Sequence, residues 1–186
     1  MSTRTPLAPE TVLRNYFHAK DENRPHLLAE VFSPGAELEI VNRASSISFP
    51  AVTQGREAIA DVLVRHFGRI YEKVYSFYMR RPPAVARRFS CDWLVAMSEK
   101  DAKNVRIGCG RYDWLFDDEA PCLAAGLVIT IEAMEVLPPS ALEPVLDWLQ
   151  HLSYPWSSAA GVTSIAHRID MLAPVLQYLG RHPDGA

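Results

Sequence analysis

Four strand-length runs follow one another through the middle of the chain, at residues 74–79, 88–97, 105–116 and 127–137. The links between them are polar or contain Pro, Ala and Gly, which suits antiparallel turns. No other feature limits the fold so strongly. A helical stripe precedes the runs: Ile59, Val62, Leu63, His66, Phe67 and Ile70 recur at i, i+3, i+4, i+7, i+8 and i+11. Helices followed by a meander predict an α+β layer architecture, with helices gathered on one face of a mainly antiparallel sheet.

The flanks fill out this plan. Val12, Leu13, Tyr16 and Phe17 have helical spacing, as do Leu27, Leu28, Val31 and Phe32 beyond a polar link over residues 20–25. Residues 37–41 alternate like a half-exposed strand, and a short strand at residues 47–49 would pair with it, giving about six strands in all. After Pro138-Pro139, the pattern Ser140-Ala141-Leu142-Glu143 reads as a capping box opening a helix with Leu142, Val145, Leu146 and Leu149 on one face. A last apolar run, Ile165, Ile169, Leu172, Leu176 and Leu179, contains Pro174, which should kink or split it. The expected organisation is a flexible lead-in over residues 1–8, one domain over 9–137, and a helical extension over 138–186 packed on it.

Alternation divides the run at 105–116 into two rows. Val105, Ile107, Cys109, Arg111, Asp113 and Leu115 share one side; Arg106, Gly108, Gly110, Tyr112, Trp114 and Phe116 share the other. The aliphatic row is the better candidate for the inner face. An Arg and an Asp interrupting an inner row must pair, line a wet cavity, or both. The opposite row would then face outward, with Leu94 beside it. So apolar a patch predicts a homodimer through the outer sheet face, with the helical tail as the alternative cover.

Composition excludes several functions. Net charge is -3, with 19 Lys+Arg against 22 Asp+Glu and no basic tract, so nucleic acid is a poor partner. No apolar run is long enough to span a bilayer, and the N-terminus lacks a signal core, so no membrane role is expected. Cys91, Cys109 and Cys122 have no metal-like spacing, nor do His18, His26, His151, His167 and His182. Reduced thiols in the cytoplasm, no metal and no cofactor are the expectation.

The segments Tyr16-Phe17-His18-Ala19-Lys20-Asp21, Leu27 to Phe32, Ser33-Pro34-Gly35-Ala36-Glu37-Leu38-Glu39-Ile40 and Gln54-Gly55-Arg56-Glu57-Ala58-Ile59 resemble the nuclear transport factor two-like superfamily, and within it the SnoaL-like proteins. The resemblance covers roughly residues 9 to 137. It implies a cone in which three helices and a curved sheet enclose an apolar cavity. It also implies one of two function classes: a cofactor-independent lyase, isomerase or cyclase acting on a small hydrophobic molecule, or a binding protein with the same cavity and no chemistry.

The resemblance places a catalytic Asp just after the first helix, where Asp21 stands. Members of that kind pair it with a strand His, which residues 74–79 lack. Cyclases of the family use a carboxylate late in the sheet, which Asp113, Glu132 or Glu135 could imitate. The candidate catalytic set is therefore Asp21 as base, Arg111 as oxyanion stabiliser oriented by Asp113, and His66 as replacement acid or base. Tyr16, Trp93 and Glu135 are candidate ligand contacts. Each has a plainer reading: Asp21 as a solvated link residue, His66 as a core histidine, and Arg111–Asp113 as a structural ion pair.

Overall fold

The computed structural model describes residues 7–118, 122–165 and 170–181. Most of the expected lead-in, Ile169, His167 and His182 lie outside the described residues. Helix α1 (Pro9–Asp21) starts on a proline, whose missing N–H costs nothing at a first turn, and buries Val12, Leu13, Tyr16 and Phe17. A 3-10 turn, Pro25–Glu30, follows. The helical spacing expected through Val31 and Phe32 stops there. Phe32 instead opens strand β1 (Phe32–Asn42), because pairing with Ala124 claims it.

The partner of β1 forms at β2 (Val52–Gln54), not at residues 47–49. Asn42 explains the shift: its amide donates to the Ile47 carbonyl at 2.6 Å and its carbonyl accepts from the Ala44 N–H at 3.0 Å, folding this stretch into a loop. Gly55, at φ +88°, then turns the chain into α2 (Arg56–Ala60), a conformation that side-chain-bearing residues resist. The helix widens into a π segment, Asp61–His66, and closes as α3 (Phe67–Ile70).

Strands β3 (Tyr71–Tyr78), β4 (Arg88–Glu99), β5 (Val105–Phe116) and β6 (Ala124–Leu137) complete one sheet in the order β2-β1-β6-β5-β4-β3. Every pairing is antiparallel except β1 with β6. The expected α+β fold with a six-stranded, mainly antiparallel sheet is thus the observed one. Beyond it, Pro139–Ala141 forms a 3-10 turn, and α4 (Leu142–Leu149) begins without a side-chain cap. The expected capping box fails because Ser140 sits inside that turn rather than at an extended N-cap. Two helices follow, α5 (Ala159–Ile165) and α6 (Ala173–Arg181). Pro174 is the second residue of α6, where it starts a helix rather than kinking one.

Both sheet faces are buried, and this reverses the inner-face expectation for β5. The N-terminal helices cover the face carrying Phe89, Cys91, Trp93, Val95 and Met97 of β4 with Tyr112, Trp114 and Phe116 of β5. The aliphatic row, Val105, Ile107 and Cys109 with Leu94 and Ala96, lies on the other face beneath Val145, Trp148, Leu149, Val162, Leu172, Val175 and Leu179. Hydrophobicity alone could not rank two rows that are both covered. Gly110 explains why the aromatic row turns inward: a Cβ there would stand 1.9 Å from the Thr130 carbonyl oxygen and 2.9 Å from the Trp93 ring. Its hydrogen lets Trp93 lie across β5 and stack on Tyr112, centroids 5.5 Å apart. Tyr112, Trp114 and Phe116 are thereby enclosed, so the outward patch that motivated a dimer interface does not exist. Among the described residues no helix is long and apolar enough to cross a membrane, and no His/Cys/Asp/Glu group could hold a metal ion.

Candidate functional site

The face under the N-terminal helices is not filled completely. A cavity of about 50 Å³ remains, lined by Ile40, Ile47, Phe49, Leu63, Phe67, Val95, Met97, Ile129, Ile131 and Met134 together with four residues that carry hydrogen-bonding groups: Tyr16, Lys20, Trp93 and Tyr112. One water-sized sphere needs roughly 10–15 Å³ of such space, so the cavity takes about four. That fits a ligand of a few heavy atoms and is far below the roughly 300 Å³ at which drug-sized pockets begin.

Helix α1 supplies the polar groups. Leu13, Tyr16, Phe17 and Lys20 fall at i, i+3, i+4 and i+7, so Lys20 continues the buried stripe and is 7% exposed. Its ammonium donates to Asp21 Oδ1 at 2.5 Å and to Ser76 Oγ at 2.9 Å. It also lies over the rings of Phe67 (5.2 Å) and Phe17 (5.7 Å). Ser76, on β3, donates both its hydroxyl (2.9 Å, to Oδ1) and its backbone N–H (3.1 Å, to Oδ2) to the Asp21 carboxylate. An isolated charge here would cost several kcal/mol, so the cation, carboxylate and hydroxyl are stable only as a set. Burial raises the Asp21 pKa above the ordinary carboxylate value, and Lys20 and Ser76 oppose that shift without cancelling it.

Two of the three ammonium protons are thus used, and the cavity holds further donors. The Tyr16 hydroxyl and the Trp93 indole N–H are buried with no hydrogen-bond partner among the described residues. Burial lifts the Tyr16 phenol far above its usual range, with neighbouring Tyr112 acting the other way. The Tyr112 phenol is raised in turn by burial and then by Tyr16. Both phenols therefore keep their protons and can serve as neutral donors.

The structure brings Tyr16, Asp21 and Trp93 to this region and leaves the other candidates elsewhere. His66 is exposed. The π segment inserts an extra residue per turn, so the buried positions run Ile59, Leu63, Phe67 and Ala60, Val64 instead of through His66 and Ile70. Arg111 and Asp113 are on the sheet face away from the cavity, half-exposed, with Arg111 Nε 3.2 Å from Asp113 Oδ1. Asp113 also accepts from Ser90 Oγ at 2.5 Å. Glu135 pairs across from Ile107 and shares that same outer face. The β5 row was reversed, and these three moved with it.

Lys20 and Ser76 were not foreseen. Lys20 was grouped with the polar link, although its spacing from Leu13, Tyr16 and Phe17 marks it as part of the buried stripe. Ser76 is the residue of β3 that meets Asp21, in a strand where the family resemblance calls for a His. Nothing in its immediate sequence singles it out.

No protein-family model matches the sequence, and no curated protein does. Solved structures match its fold. A hexachlorocyclohexane dehydrochlorinase, LinA type 2, superposes with a TM-score of 0.55 at 15% identity, covering 70% of this chain and 86% of that one. A nuclear transport factor 2-like superfamily protein from Salmonella enterica serovar Typhimurium gives 0.53 at 13%, covering 64% and 85%. A protein of ketosteroid isomerase-like fold from Catenulispora acidiphila, in complex with trimethylamine, gives 0.51 at 15%, covering 66% and 85%. The chain has the nuclear transport factor 2-like fold. At these identities the likeness is one of architecture.

Proposed function

We propose that the chain is a cofactor-independent enzyme, a lyase, isomerase or cyclase by reaction type, acting by acid–base chemistry on a small apolar molecule that presents a carbonyl or anionic oxygen. The observation supporting this is the donor set on an otherwise apolar wall: the Lys20 ammonium, the Tyr16 hydroxyl and the Trp93 N–H. Buried donors left unpaired cost about 1–3 kcal/mol each, which an acceptor oxygen in the cavity would offset. As a substrate loses a proton, charge gathers on that oxygen, and fixed donors in a water-poor site stabilise it most at that moment. Asp21 stands behind Lys20: Lys20 passes one ammonium proton to Asp21 Oδ1 and, as the free amine, takes the substrate proton in its place. The raised pKa of Asp21 makes it a better match to neutral conditions than an ordinary carboxylate.

A second reading, a binding protein without chemistry, is favoured by one specific feature. Both Asp21 oxygens are already occupied by Lys20 and Ser76. Deuterium exchange distinguishes the two. Small ketones and aldehydes incubated with the protein in deuterated water should lose α-protons, as read by nuclear magnetic resonance. Asp21→Asn and Lys20→Met should abolish the exchange while circular dichroism is retained. Binding of the same compounds without any exchange would establish the binding reading instead.

A further inference from the structure

We infer that Lys20 is a covalent carbonyl trap, forming an imine with a small aldehyde or ketone held in the cavity. The inference deepens the acid–base reading of this site and rests on its premise that a carbonyl oxygen occupies the cavity.

Three features combine. Lys20 is the cavity's one lysine, 7% exposed, on a wall otherwise made of apolar and aromatic side chains. A lysine enclosed among such side chains, with a proton acceptor beside it, can serve as an amine nucleophile. The ammonium must shed a proton before it can attack, and Asp21 Oδ1 lies 2.5 Å from Nζ to take it. Finally, Tyr16 sits one helical turn before Lys20 on the same face of α1, its hydroxyl buried and without a partner. A carbonyl carbon presented to Nζ can therefore offer its oxygen to that hydroxyl.

The step balances without oxidant or reductant. One ammonium proton passes to Asp21, and the nitrogen lone pair then forms the new N–C bond. The C–O π electrons move to oxygen, which Tyr16 steadies and which is then protonated. That first proton comes from the attacking nitrogen; Asp21 then returns the proton it took, the oxygen departs as water, and the nitrogen lone pair closes the C=N bond, leaving Lys20 as a protonated imine. The cavity, at about 50 Å³, favours short-chain carbonyl compounds over bulky ones.

The sequence makes the test clean, because the chain contains four lysines: Lys20, Lys73, Lys100 and Lys103. The full-length protein is incubated with butanone and sodium cyanoborohydride, which reduces an imine to a stable secondary amine. Adducts are then mapped by peptide mass spectrometry. Modification at Lys20 should outpace that at Lys73 and Lys103 by roughly tenfold or more. Asp21→Asn, which keeps the polar shape but loses the proton acceptor, should slow it by about the same factor. Lys20→Arg and Lys20→Met should abolish it, with circular dichroism checked for each. The wild-type map stands even if a variant fails to fold. Equal labelling of all lysines overturns the inference. So does butanone binding, seen by ligand-observed magnetic resonance, without a Lys20 adduct; that outcome leaves the non-covalent acid–base reading intact. No binding at all removes both.

Discussion

The sheet buries a carboxylate on each face, and the two are built differently. On the cavity face, Asp21 is held by a cation and a serine, behind the Lys20 side chain that lines the cavity. On the other face, Asp92 is fully buried and accepts a 3.0 Å hydrogen bond from the Tyr178 hydroxyl of α6. Arg111 stands opposite it in the β4–β5 register. Burial first and Asp92 second push the Tyr178 phenol far above its usual range, so it stays a donor. Asp92 thus fastens the C-terminal helices to the sheet, whereas Asp21 backs a wall that faces a vacant volume. Burial alone does not mark a functional carboxylate.

The largest expected effect tests the seal on the aliphatic face. Trp148→Ala should cost about 3–5 kcal/mol in chemical denaturation, as large-to-small changes in a filled core do. Phe67→Ala should cost less, because the space it vacates merges with an existing cavity. Equal losses would mean that the two faces are equally well packed.

Next is the Asp92–Tyr178 fastening. Asp92→Ala removes a fully buried acceptor of the Tyr178 hydroxyl and should cost about 1–3 kcal/mol. Adding Tyr178→Phe should recover part of that, giving a non-zero coupling in a double-mutant cycle. Neither change should alter carbonyl binding in the cavity; a shift in that binding would break the division between the faces.

The pH dependence of Asp21 sharpens the contrast further. Its folded pKa is raised, so the folded state keeps a proton that the unfolded chain releases near pH 4. Its contribution to stability is complete below that pH and falls as pH rises through the folded value. Measured against wild type, Asp21→Asn should therefore gain relative stability as pH increases from about 4. A pH-independent difference would contradict the shift.

The smallest effect belongs to His66→Gln. An exposed side chain on the helix surface should change stability by no more than about 0.5 kcal/mol and leave deuterium exchange untouched. Loss of exchange would return His66 to the site.

Period and spacing in the sequence determined five of the six strands and the α+β class, with the short partner of β1 displaced to Val52–Gln54. Each run's hydrophobic repeat is a local property that survives into the fold. Tyr16 was assignable to the buried stripe of α1 in the same way. What tertiary structure decided was which β5 row faced the cavity. With helices before and after the sheet, the apolar residues of both β5 rows are covered, Val105, Ile107 and Cys109 on one side and Tyr112, Trp114 and Phe116 on the other, so apolarity did not mark the cavity side. The close approach of Trp93 over Gly110 broke the tie. His66 moved outward for a related reason, because a π segment changes the repeat from within the helix. The Lys20–Asp21–Ser76 cluster joins residues 55 and 56 positions apart. A hydrogen bond across that separation exists only once α1 has docked on β3.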